Sequence, residues 1–314
     1  MDAIVYTLPM IVVLFIAERL YSHRKHLQNF DYEECLSNIT CGLGMSIFDM
    51  LFLPLLAAVY TTILAHTPFN ITPTLMSGVL LFLLIDLLWY CYHRLTHQIP
   101  FLWSLHSVHH QPETFNISVG LRDSWFSRLG SWTIYLIPAF FGFPLAFYLI
   151  LLGFQIGYNF WTHTTVITKM PKYFDWIFVS PAFHRVHHGK NARYINTNFG
   201  EVFSFWDRLF GTYVAETEPV IYGVTDQSVI LNPLKACTHR WISHQKQTLF
   251  AYPAFLLAHK RLSITLLLSI SLAAFALVVT AQVQGHTGLA IGFGLISLSL
   301  ATLTGDLAGA TPKD

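Results

Sequence analysis

Long apolar runs separated by short polar segments dominate the first 160 residues. Ala3–Ala17, Ile39–Ala65 and Leu75–Tyr92 are each almost uninterrupted by charge. They approach or exceed the roughly 20 apolar residues that a helix needs to cross a bilayer. The first run lacks a basic leader and is followed by Glu18, Arg19, Arg24 and Lys25, so it reads as an uncleaved anchor rather than a secretory signal. Ser131–Tyr158 contains no charge at all, but Pro138, Gly142 and Pro144 interrupt it. As one helix it would be about 42 Å long. The breakers predict instead two short halves that enter the membrane and return as a re-entrant hairpin. A last apolar pair, Leu262–Thr280 and Gly288–Leu303, predicts a C-terminal transmembrane hairpin.

Basic residues orient this array. Neither the 66–74 nor the 281–287 connection contains Lys or Arg, so both are assigned to the outside with the N-terminus. All 18 Lys and Arg then fall on the cytoplasmic side. The polar stretches 94–128 and 161–260 form a helical cap on that face. The expected fold is an all-α integral membrane protein, with transmembrane helices, a re-entrant hairpin and a histidine-rich cytoplasmic cap holding a dimetal site. Four parts are expected: 1–74 an N-terminal membrane region, 75–215 a catalytic core, 216–260 a connecting segment and 261–314 a C-terminal hairpin.

Composition agrees. Of 314 residues 54% are hydrophobic and 11% charged, less than half the usual charged fraction of a soluble protein. The net charge of +1 gives no sign of a nucleic-acid partner. Four scattered cysteines suggest neither a disulfide framework nor a thiolate metal site.

The chemistry lies in the histidines, 16 in all. His93 and His97 form an HxxxH box continuing the third apolar run, and an i, i+4 pair shares one helical face. His106, His109 and His110 form an HxxHH box, and His184, His187 and His188 repeat it. Eight imidazoles are too many for one four-coordinate ion and suit two metals. His163, at the end of the predicted hairpin, is expected as a ninth ligand. Asp86 shares the face of His93 and is assigned to orient a ligand imidazole. Asn159, one turn before His163, is a candidate to hold a metal-bound water. His23, His26, His66, His239, His244, His259 and His286 fit no box and are expected to be non-ligands. Imidazole ligation alone leaves zinc, copper, iron and nickel open.

These boxes, in this order, resemble those of the fatty acid hydroxylase/sterol desaturase superfamily. The flanking text is similar too: Asp86 through Arg94, Leu102-Trp103, Gly189-Lys-Asn, Asn198-Phe-Gly and Trp206 through Tyr213. The likeness covers roughly residues 75–215. It implies two iron ions, O2, an external electron donor and oxidation of a lipid C–H bond in the bilayer. Within the superfamily, Ser180 through Asn191, Phe160 through Thr164 and Glu216–Gly223 resemble the alkylglycerol monooxygenases. That implies cleavage of an O-alkyl glycerolipid to an aldehyde and a glycerol, with tetrahydrobiopterin as a possible reductant. Those animal enzymes carry Glu directly after the first box, where this chain has Gln98. Glu113 aligns with an acidic position of the resembling enzymes and is a candidate catalytic proton relay. Arg122 is a candidate for a lipid headgroup, and Asp207 and Arg208 are read as structural.

Hydroxylation of a sterol, a fatty acyl chain or an ornithine lipid, or desaturation, shares every motif and stays open. A metal transporter would need ionisable groups at mid-membrane. A zinc-holding scaffold would need only the boxes. The expected location is a membrane with the site on its cytoplasmic face, a bacterial inner membrane rather than the endoplasmic reticulum.

Overall fold

The computed structural model describes residues 2–243. The C-terminal apolar pair, together with His244, His259 and His286, lies outside the described residues. Among the described residues the protein is all-helical. The only β pairing there is two isolated bridges, Phe178 with Phe203 and Gly189 with Tyr222.

Four long apolar segments become helices. α1 spans Asp2–Lys25, α2 Tyr32–His66 and α3 Leu75–Thr96. α2 starts where the Asp31 side chain accepts from the Glu34 N–H, and it passes through Pro54. α3 starts at a Thr74–Ser77 capping box. It is long and apolar enough to cross a membrane on its own, whereas the two halves of α2 are bent by 45°. The Ser131–Tyr158 run divides as its breakers predict. α5 covers Arg128–Phe140 and α6 Leu145–Phe160, with Gly142 at φ +82° in the turn between them. A Cβ at Gly142 would lie 2.5 Å from the Phe69 carbonyl oxygen, so glycine is required both by φ and by space.

At 13 and 16 residues, α5 and α6 are about 20 and 24 Å long. Their turn sits against the connection between α2 and α3. The Ile71 N–H donates to the Gly142 carbonyl, the Thr67 hydroxyl to Phe140, and the Tyr60 hydroxyl to Phe143. A buried cluster of Tyr60, Ile63, Leu81, Ile85, Leu136 and Tyr148 joins α2, α3, α5 and α6 at this level.

Asp49, inside α2, faces α5. Both its oxygens accept from Arg128, at 2.7 and 2.8 Å. This pairing is the usual fate of a carboxylate in an apolar bundle.

The other end of the bundle carries the short helices. α4 spans Pro100–His110, a 3-10 turn covers Ile117–Leu121, α7 spans Lys172–Ile177, α8 Pro181–His187, α9 Phe205–Leu209 and α10 Pro233–Ser243. α4 and α8 both have proline in their first turn, and the Ser180 side chain caps α8.

Candidate metal centre

Both HxxHH boxes lie on short helices, and each ends its helix. The spacing divides each HxxHH box between two places, whereas the HxxxH pair stays together. His106 and His110, an i, i+4 pair, join His93, His97 and His187, while His109 joins His163, His184 and His188. Within each group one nitrogen per imidazole lies within 4.8 Å of all the others. The groups share a wall, with the rings of His110 and His188 stacked at 4.4 Å. The structure thus brings together all eight box histidines and His163. His23, His26, His66 and His239 belong to neither group.

Ring orientation comes from main-chain carbonyls. Nδ1 of His93 donates to Phe199 O, of His109 to Arg122 O, of His163 to Asn159 O and of His187 to Thr197 O, at 2.8–3.1 Å. A carbonyl only accepts, so each of these neutral rings carries its proton on Nδ1 and a lone pair on Nε2. Burial holds the cap imidazoles neutral. It pushes His109 down to about 4 and His184, His187 and His188 well below the ordinary histidine value.

The lone pairs then face one another. Nε2 of His109 and Nε2 of His163 are 3.3 Å apart, and neither has a proton to give. His163 and His184 approach to 2.9 Å, His93 and His106 to 3.0 Å. Nε2 of His97 and of His187 is buried with no hydrogen-bond partner. Ligands at about 2.1 Å from one ion are separated by about 3.0 Å in octahedral and 3.4 Å in tetrahedral geometry. The donor set therefore fits metal cations.

Three expected site residues are placed otherwise. Asp86 is fully buried but touches no imidazole. Its carboxylate accepts from the Val202 and Phe203 N–H groups and from Trp206 Nε1. It anchors the 197–206 loop that presents the Thr197 and Phe199 carbonyls, so it acts on His187 and His93 only through that loop. Glu113 is exposed, and its N–H donates to the Glu34 carboxylate. The turn after the second box aims this side chain at solvent. Arg122 is completely buried, and its guanidinium bonds Val108 O, Ser37, Asn38, Gln111 and Ile230 O. With its donors engaged it meets no headgroup and instead fixes the carbonyl that holds His109. Asn159 lines the cavity below the histidines.

Asp207 is structural as expected. It accepts from the Phe199 and Gly200 N–H groups and from the Thr212 hydroxyl. Arg208 lies over the Tyr213 ring at 3.7 Å. Sequence reasoning missed Glu34, which takes the Glu113 and Thr114 N–H groups after the second box, and Glu18, which takes the Ile117 N–H. Their one sequence signal is an acidic residue flanking an apolar run.

A cavity of about 180 Å3 opens beneath the imidazoles. His106, His109, His163 and His184 form its roof. Apolar side chains of α3, α5 and α6 line it down to Pro138 and Tyr148, near the α5–α6 turn.

Residues 78–212 match the family model described as fatty acid hydroxylase. The chain is 30% identical over 252 residues to an alkylglycerol monooxygenase of Xenopus tropicalis, covering 77% of this chain and 54% of that protein. It is 37% identical over 174 residues to the Homo sapiens alkylglycerol monooxygenase, covering 55% and 38%. It is also 34% identical over 129 residues to the ornithine lipid hydroxylase OlsE of Rhizobium tropici, covering 40% and 38%. The chain thus spans about half the length, or less, of these curated relatives. No solved structure matches it. The matched segment runs from the first turn of α3 past α9 and contains every imidazole of both groups, and over this segment the chain is similar to the fatty acid hydroxylase family.

Proposed function

We propose that the protein is a membrane-bound di-iron monooxygenase that hydroxylates a lipid C–H bond with O2, its substrate an O-alkyl glycerolipid. One observation carries this reading: two adjoining all-imidazole groups border a cavity whose walls are mostly apolar. His93, His97, His106, His110 and His187 would hold one iron, and His109, His163, His184 and His188 the other. When bound, the iron pair supplies the redox chemistry by which O2 is reduced and one of its atoms enters a C–H bond.

The chain's own residues do the rest. The carbonyls of Arg122, Asn159, Thr197 and Phe199 fix each imidazole by holding its Nδ1 proton. The apolar walls of α3, α5 and α6 take the lipid chain and keep water from the reacting carbon. Asn159 offers its amide to a polar group brought beside His163. The names of the relatives support the ether substrate, because hydroxylation of the ether-linked carbon yields a hemiacetal that collapses to aldehyde and glycerol. Electrons come from outside the chain, from tetrahydrobiopterin or a protein donor.

The bundle is placed in the membrane with the imidazole end on the cytoplasmic face, as the distribution of Lys and Arg favours. In this placement α5 and α6 are the short hairpin, dipping from the cap side.

The test is incubation of purified, iron-loaded protein with 1-O-hexadecylglycerol, O2 and tetrahydrobiopterin, with aldehyde and glycerol read by mass spectrometry. O2-dependent release of hexadecanal supports the reading. Hydroxylated or desaturated product from another lipid class, with the ether untouched, would move the substrate within the family. Absence of O2 uptake on any lipid, with zinc in place of iron, would favour a scaffold.

A further inference from the structure

The cavity beneath the imidazoles is not apolar all round. Arg128, Ser131 and Tyr135, spaced three and four apart on α5, turn one polar edge into its wall. The Arg128 guanidinium is already neutralised by Asp49, and its Nη1 donates to the Tyr135 hydroxyl at 2.8 Å. Having accepted that bond, the Tyr135 hydroxyl keeps its own proton to give.

Ser131 is 2% exposed, and its hydroxyl has no hydrogen-bond partner. The buried hydroxyls of Ser22, Ser107 and Ser127 also have no partner, but of these only Ser127 shares the cavity wall with Ser131. Thr40, Ser46, Thr61 and Thr62 each return their hydroxyl to the carbonyl four residues back on their own helix. Leaving a buried hydroxyl without a partner is costly, and a purely alkyl occupant would leave it so.

The edge lies close to the imidazoles. A Cβ at Gly130 would come 2.7 Å from the Tyr92 hydroxyl, and Tyr92 directly precedes His93. Ser131 and Tyr135 line the same cavity as His93, His106, His109, His163 and His184.

We propose that this edge of α5 is a subsite for an uncharged oxygen-bearing group of the lipid, a hydroxyl, ether or carbonyl, held a few bonds from the carbon that is oxidised. The proposal rests on the lipid-oxidising reading above and narrows its substrate. It selects lipids oxygenated near the reacting carbon over plain chains attacked in mid-chain. An uncharged group is required because Asp49 spends the charge of Arg128, and Asp123 adds a second carboxyl to the same wall. Arg122 also lines the cavity, but its guanidinium donors are already taken by Val108 O, Ser37, Asn38, Gln111 and Ile230 O, so none is left to bind a phosphate or carboxylate.

The test measures binding without turnover. Full-length protein in nanodiscs, kept under argon, is titrated by displacement of a fluorescent alkyl probe. The competitors are 1-O-hexadecylglycerol and 1-chlorohexadecane, which share a chain and differ in its oxygenated end. Wild type should prefer the glyceryl ether. Ser131→Ala and Tyr135→Phe should each weaken the ether by roughly three- to tenfold, the effect of one hydrogen bond, and leave chlorohexadecane unchanged. Ser131→Thr, which keeps the hydroxyl, should bind the ether within about twofold of wild type. Equal weakening of both competitors, no weakening of either, or a wild type without preference would each overturn the subsite. Protein that shows this discrimination but consumes no O2 would sink the enzyme reading and leave the subsite standing. Lipid oxidation with indifferent variants would do the reverse.

Discussion

Asp86→Asn tests how the five-imidazole group is held. In the structure Oδ1 of Asp86 accepts from Val202 N–H at 2.9 Å, and Oδ2 from Phe203 N–H and Trp206 Nε1 at 3.2 and 2.8 Å. Asparagine has one acceptor oxygen. Whichever way its amide turns, at least one of the three donors faces an NH2 group. Leaving a buried donor unmade costs about 1–3 kcal/mol, which corresponds to a fall in Tm of about 2–12 °C for a chain of this size. The loop so loosened carries Thr197 O and Phe199 O, the acceptors of His187 and His93. Loss of such supports weakens metal sites by about 10–100-fold. Thermal unfolding in detergent and metal per chain after dialysis against a chelator read both effects. The variant should unfold earlier and lose close to one metal per chain, with the four-imidazole group keeping its own. An unchanged Tm with both metals retained would refute the argument, as would equal loss from the two groups.

Removal of one histidine should act unequally on the two groups. His97→Ala leaves four imidazoles in its group, whereas His184→Ala leaves three in the other; metal analysis should show greater retention in His97→Ala. Arg128→Met should destabilise the protein by about 3–5 kcal/mol by leaving Asp49 unpaired in the bundle. Arg128→Met combined with Asp49→Leu should recover most of that loss in denaturant or thermal unfolding. Arg122→Met strips the support from buried acceptors around His109, so it should lower the Tm and release metal from the four-imidazole group, whereas Glu113→Gln, at the surface, should leave Tm and metal content unchanged.

The elements most visible in sequence are those specified by unbroken apolar runs and by breakers. α3 and the α5–α6 break follow directly from Leu75–Tyr92 and from Pro138, Gly142 and Pro144. The nine clustered histidines are equally visible, eight of them as boxes at helical spacing and His163 by its place at the end of the α5–α6 hairpin. The division into five and four is hidden, since i, i+3 and i, i+4 positions of one box turn toward different neighbours only when α4 and α8 are packed. Asp86 shares the helical face of His93, so one-dimensional reasoning pairs them. In the structure the rings bond main-chain carbonyls, which no side-chain pattern announces, and the carboxylate holds the loop that supplies two of them. Asn198 is a comparable case: at φ +58° its side chain bridges Phe183 O and both main-chain groups of Val214, shaping the turn before Phe199.

Quantification of metal on protein purified from iron-replete cells, with Mössbauer spectroscopy of 57Fe-enriched material, tests the central claim most directly. The two imidazole groups together with the proposed oxidation of a lipid predict two irons per chain that interact magnetically, one lost in His184→Ala. A single isolated iron, or stoichiometric zinc that iron does not displace, would contradict it.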